Sequence, residues 1–221
     1  MWGGKRWGVA VLGATAWAGV LAADVPTPDP LEVPLAPAAS AAVHVPGLSA
    51  DARDTLAWIQ STGDHGHLPF AIVDKRQARV HVFHADGRLA GESPALLGLT
   101  PGDEGVPGAG QRVADLSPSE RTTPAGRFAS EPGHNLKGED IVWVDYDAAI
   151  AIHRVRPGPS RERREQRLAS GTPADNRVSL GCIVVPVAFY EQVVSPVLGR
   201  SRGVVYVLPE RQPALAMLTR R

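Results

Sequence analysis

A single cysteine, Cys182, lies in the stretch DNRVSLGCIVVP (175 to 186), and His153 closes the apolar run AIAIHRV (149 to 155), 29 residues upstream. A thiol becomes a nucleophile when an imidazole lowers its pKa or takes its proton, and the thiolate is the reacting species. The two residues therefore supply the parts of cysteine acyl transfer. They do not decide it by themselves, because the chain has seven histidines and any of them can lie upstream of a cysteine. A free thiol beside Ile183, Val184 and Val185 can also fill core space as a small hydrophobe.

The compartment bears on that choice. Lys5 and Arg6 precede a mostly apolar stretch from Val9 to Ala23, which ends in Leu21, Ala22 and Ala23. This is the layout of a secretory signal peptide, shorter than the roughly 20 apolar residues of a membrane span. Cleavage is expected near Ala22 or Ala23; the alternative is an uncleaved anchor, the one case in which the protein would contact a membrane. Either reading exports the rest of the chain, to the periplasm or cell envelope. Exported proteins use cysteines in pairs, and an unpaired one points to a reactive thiol or an intermolecular bridge.

The elements that must position these residues come next. With 23 basic and 23 acidic residues the chain has no net charge, so the overall balance calls for neither nucleic acid nor an anionic surface. The segment 24 to 48 is rich in proline and alanine and reads as an extended linker. Roughly 170 residues remain, enough for one domain with a core. Residues 49 to 68 hold one short helix, capped by Ser49, ended by Gly63 and burying Leu56 and Ile59. Strands are expected at FAIVD (70 to 74), across 78 to 93 with Val80 and Val82 alternating and a turn at Asp86-Gly87, at DIVWVDY (140 to 146), at 149 to 155 and at GVVYVLP (203 to 209). A helix is expected over 185 to 199 with Phe189, Val193 and Val194 inward. The class is mostly β (α+β), with a few flanking helices.

Four stretches in this order resemble the YkuD-type L,D-transpeptidase catalytic domain, a family of exported cell-wall enzymes. FAIVDKRQARVHVFHADGRLAGESPALLG is similar to its opening hairpin, RTTPAGRF (121 to 128) to its Thr-Pro-x-Gly motif, AIAIHRV to its Ile-His strand and RVSLGCIVVP to its Ser-x-Gly-Cys motif. The resemblance covers roughly residues 69 to 209 and implies a β-sandwich or barrel-like fold, with 210 to 221 as a tail. It also implies a role in cell-wall biogenesis and cell shape, with peptidoglycan stem peptides as partner and no cofactor. Cys182 would attack the carbonyl between the third and fourth stem residues and release D-alanine, with His153 as the base. The family's histidine is steadied by a nearby backbone carbonyl.

Gly181 lets substrate approach the sulfur, and the N–H groups of Gly181 and Cys182 would form an oxyanion hole. Ser179 matches the motif serine, either hydrogen-bonding within the site or serving as a turn residue. Three positions depart from the family. Leu180 stands where it often has histidine, Val184 where it often has arginine, and Arg154 where it often has a small residue. Arg177 is expected to replace the missing cation against a stem-peptide carboxylate.

The arginine-rich segment 154 to 177 reads as a helix begun by Ser160, forming a lid that presents positive charge to the wall polymer. Without interleaved aromatics it does not read as a nucleic-acid site. TTPAG (122 to 126) is most simply a turn, with Pro124 fixing φ and Gly126 allowing a sharp bend. His65, His67, His81 and His84 do not converge as metal ligands must, so no metal is expected. Two other functions stay open: thiol chemistry with water as acceptor (an L,D-carboxypeptidase or peptidoglycan hydrolase), and a non-catalytic wall-binding module.

Overall fold

A computed structural model describes residues 47–220. The expected signal and, but for Gly47 and Leu48, the linker lie outside the described residues. Among the described residues no helix is long and apolar enough to cross a membrane.

Helix α1 (Ala50–Thr62) starts and stops where its caps require: Ser49 Oγ accepts the Ala52 N–H at 3.2 Å, and the Gly63 N–H returns to the Ile59 carbonyl at 2.9 Å. Strands β1 (Phe70–Asp74), β2 (Arg79–Phe83) and β3 (Leu89–Pro94) form an antiparallel meander, followed by the short β4 (Leu97–Gly98). Then come β5 (Gly126–His134), β6 (Asp140–Asp145), β7 (Ile150–Arg154), helix α2 (Arg164–Ala169), β8 (Arg177–Ser179) and β9 (Ile183–Val185). A helical run of α3 (Val187–Phe189), a π-helical turn (Tyr190–Val194) and α4 (Ser195–Val197) leads to β10 (Gly203–Val207) and α5 (Ala214–Leu218).

Eight strands form one sheet in the order β3-β2-β1-β10-β5-β6-β7-β9, and β4 pairs with β8 in a small parallel pair. All five residues of β1 are buried, because both faces of the sheet are covered. Phe70 and Ile72 point to a layer closed by Leu56 and Ile59 of α1 and by Ala214 and Leu218 of α5. Ala71 and Val73 point the other way, into an interior shared with Val142, Ile152, Ile183, Val205, Tyr190 and Val194. That interior gathers side chains from both ends of the sheet, so the sheet curves around it. The mostly β, α+β class is the one expected.

The structure differs from the sequence reading at several elements, among them helix α5, which lies within the stretch expected as a tail and buries Ala214 and Leu218. The expected helix over 185 to 199 starts two residues later, because Val185 belongs to β9 and pairs with Arg154. Strand β5 was not anticipated, since Pro132 and Gly133 break a strand pattern. It changes partner midway: 126–130 pair with β10 and 131–134 with β6, so Pro132 lies beyond the β10 ladder. Gly126 is accordingly a strand residue and not the site of a bend. In the arginine-rich segment Ser160 makes no capping bond, and Arg163 at φ 47° separates a 3-10 turn (Ser160–Glu162) from α2. The left-handed residue interrupts the helical ladder, so two short turns replace one helix.

Candidate active site

Strands β7 and β9 are parallel, with Ile152 opposite Ile183 and His153 opposite Val184. Successive residues of a strand face opposite sides. Ile152 and Ile183 enter the main interior, so His153 and Val184 face outward. Cys182, two residues before Val184, falls on that same outer side and packs on a small cluster of Leu96, Val184 and Leu168 of α2. The register alone brings the sulfur and the imidazole to one face.

The imidazole is held in one state. His153 Nδ1 lies 2.8 Å from the Arg154 carbonyl, and a carbonyl only accepts, so Nδ1 carries the proton and Nε2 is left as an acceptor. Burial is the main cause that pushes the His153 pKa down to about 4; the Arg154 carbonyl opposes it, and Arg156 and Arg164 reinforce it. The ring is therefore neutral at pH 7. The Arg154 side chain is turned away, over the Tyr190 ring at 4.8 Å.

Burial also raises the Cys182 thiol above its ordinary value, against the Ala151 backbone and Arg156, which favour the thiolate. The half-buried thiol donates to the Ala149 carbonyl at 3.5 Å. Both shifts disfavour charge, so the resting groups are a thiol and a neutral imidazole.

The turn that presents the sulfur is tied from both sides. Ser179 Oγ donates to the Cys182 carbonyl at 2.7 Å and accepts the Gly181 N–H at 3.1 Å. Gly181 has φ 138°, and a Cβ there would lie 2.7 Å from Ile150 Cδ1 and 3.0 Å from the Thr122 carbonyl, so both conformation and space require glycine. The Gly181 N–H, expected in the oxyanion hole, is bonded to Ser179 in this structure. From the other side, the fully buried Thr123 donates Oγ1 to the Gly181 carbonyl at 2.8 Å and accepts the Gly98 N–H at 2.9 Å. The stretch read as a plain turn is thus a clamp on the cysteine turn. Its sequence signal is the threonine of the Thr-Pro-x-Gly-like stretch, which by itself carries no sign of the contact with Gly181.

Arg177, expected to meet a substrate carboxylate, has partners within the fold. Its guanidinium donates to the Lys75 carbonyl at 2.9 Å and pairs with Glu210, away from the sulfur, because a buried carboxylate network claims it. That network centres on Lys75, 1% exposed, whose Nζ donates to the Gly102 carbonyl, to Asp103 Oδ1 at 3.0 Å and to the Thr123 carbonyl at 2.9 Å. The cation that reaches both Cys182 and His153 electrostatically is Arg156, whose Nε sits 2.8 Å from Glu139 Oε2. Leu180 is exposed beside the cysteine, and Val184 is buried under Leu96 and Leu168. Among the described residues no group of three or more His, Cys, Asp or Glu is placed to hold a metal ion.

No protein-family profile matches the chain, and no curated protein does. Among solved structures, the helical cell-shape-determining protein Pgp2 of Campylobacter jejuni is similar at 18% identity and a TM-score of 0.43, over 66% of this chain and 49% of that one. An L,D-transpeptidase from Xylanimonas cellulosilytica matches at 18% identity and TM-score 0.39, covering 63% of this chain and 60% of its own. The catalytic domain of an E. faecium L,D-transpeptidase matches at 20% and 0.35, covering 63% and 96%. The chain thus spans about half the length of the Campylobacter protein. Likenesses this partial assign neither activity nor substrate.

Proposed function

We propose that this chain is an exported cysteine acyltransferase of the L,D-transpeptidase type, acting on peptidoglycan stem peptides through a thioester on Cys182. The observation that carries the reading is the β7–β9 register, which sets Cys182 and a His153 locked as the Nδ1–H tautomer on one face. The four motifs in family order supply the substrate class.

In this reading the Cys182 thiol gives its proton to His153 Nε2 as the sulfur adds to the carbonyl carbon between the third and fourth stem residues. The tetrahedral oxyanion takes a hydrogen bond from the Cys182 N–H, the candidate left once Gly181 is committed to Ser179. Collapse breaks the C–N bond, and the His153 imidazolium returns its proton to the departing D-alanine amine. An acceptor amine then adds to the thioester, His153 takes its proton, and the sulfur leaves and is reprotonated. A neutral thiol–imidazole pair suits this sequence because each proton moves only when charge develops. Arg156 is the cation offered to a stem carboxylate, in the place first expected of Arg177, and α2 with its flanking arginines forms a cover anchored by Leu168.

Intact-mass measurement after incubation with a carbapenem tests the proposal. The wild type should gain one adduct on Cys182, and Cys182→Ala and Cys182→Ser should gain none while melting close to the wild type. Absence of both adduct and turnover of a disaccharide-tetrapeptide in the wild type would leave the non-catalytic wall-binding module. Turnover yielding the tripeptide without cross-linked product identifies the carboxypeptidase.

A further inference from the structure

The mechanism leaves one costly feature unused: a lysine buried in the domain wall, with every donor occupied. Burying an ammonium is unfavourable unless it is fully paired, and such a group does not reward the fold more than an apolar replacement would. Lys75 meets the pairing requirement with two carbonyls and Asp103, and Glu210 Oε2 lies 3.8 Å away. Asp103 is itself tied, accepting the Glu210 N–H at 2.7 Å and the Arg211 N–H at 3.0 Å, and Arg177 pairs with Glu210.

One of the three lysine bonds goes to the Thr123 carbonyl, and the hydroxyl of the same threonine goes to the Gly181 carbonyl. The Thr123 segment precedes β5 and is held outside the sheet by the Thr100 N–H to the Arg121 carbonyl at 3.0 Å and the Ala125 N–H to the Asp103 carbonyl at 2.9 Å, and Gly98 packs so tightly on it that a Cβ there would lie 2.6 Å from the Thr123 nitrogen. Thr123 itself is braced between them, by Lys75 from behind and by the Gly98 N–H from the side.

We propose that Lys75 and Thr123 are positioning residues for the thiol chemistry: the buried Lys75–Asp103–Glu210–Arg177 network fixes Thr123, and Thr123 fixes the Gly181 carbonyl and hence the sulfur against His153. The inference rests on the acyltransferase reading for its consequence but on the hydrogen bonds for its geometry. It also explains the sequestration of Arg177, which neutralises Glu210 at the rear of the network and is thereby lost to substrate.

Three variants test it, each assayed for carbapenem acylation, for iodoacetamide alkylation of Cys182 against pH, and for thermal midpoint. Thr123→Val removes the hydroxyl and should slow acylation on the order of 10- to 100-fold, the scale of an ångström-level misplacement. Alkylation at pH 7, which needs no alignment with His153 and a carbonyl, should hold or rise as the loosened thiol loses its burial. Thr123→Ser keeps the hydroxyl and should restore most of the acylation rate. Asp103→Asn, which weakens the grip on Lys75 without touching Thr123, should slow acylation in the same direction by less. The proposal is overturned if Thr123→Val acylates at the wild-type rate, or if acylation and alkylation fall together with the thermal midpoint. Should Thr123→Val not fold, Asp103→Asn decides, and wild-type acylation there overturns it. A wild type that forms no adduct brings down the acyltransferase reading instead, and the alkylation profiles then decide on positioning alone.

Discussion

The layer between the sheet and α1 and the outer face of β7 and β9 are built on opposite principles. In the first, Phe70 stacks on Phe83 at 4.8 Å, Trp58 and Tyr206 meet edge to face at 6.3 Å, and twelve buried side chains share the load. In the second, three buried residues pack beside a half-buried cysteine, and single hydrogen bonds from Ser179 and Thr123 set the geometry. Dispersion and apolar burial are non-directional and spread over many contacts, whereas a hydrogen bond is directional and has no substitute nearby. The α1 layer should therefore govern whether the chain folds, and the outer face should govern what the sulfur does once it has folded.

The largest expected effect that divides the two regions is at Phe70. Phe70→Ala removes a fully buried ring and should cost about 3 to 5 kcal/mol, read as a lower urea midpoint. Carbapenem acylation measured well below the melting range should stay at the wild-type rate. A large drop in acylation by the folded variant would erase the division.

A smaller effect should come from His153. Its folded pKa of about 4 lies below the ordinary value of 6.5, so between those values the unfolded chain binds the proton that the folded one refuses. Stability should then fall as pH drops from about 6.5 toward 4, by up to about 3 kcal/mol from this group. His153→Gln should remove that share, and urea titrations of both proteins at pH 7 and pH 4.5 measure it. Equal losses in the two proteins would show that His153 is not held neutral. The same state predicts that alkylation of Cys182 keeps rising past pH 9, because burial raises the thiol.

The smallest effect concerns a cap remote from the chemistry. Ser49→Ala deletes the α1 cap and the bond from Ser49 Oγ to Asp74 Oδ2 at 2.5 Å, and should cost about 1 kcal/mol in stability. Acylation should be unaffected; a change there would mean that α1 reaches the cysteine turn.

The amino-acid sequence alone determined what depends on near neighbours. Ser49 and Gly63 bound α1, the alternation of Val80 and Val82 marks β2, and Cys182 and His153 stand out as the candidate nucleophile and base because their motifs are local. Tertiary structure decided everything that depends on which distant segments meet. The parallel register of β7 and β9 placed sulfur and imidazole on one face, and the β5 partner change made room for Pro132. Arg177, five residues before the cysteine, was drawn to Glu210, 33 residues further along the chain. Lys75 lies in the turn after β1, where nothing in its local sequence marks it, yet it is buried because Gly102, Asp103 and Thr123 close over it. Local patterns record how a residue sits on its own helix or strand; they carry no record of the partner that a long-range fold brings to a buried charge, and there the desolvation cost lets only a complete set of partners stand.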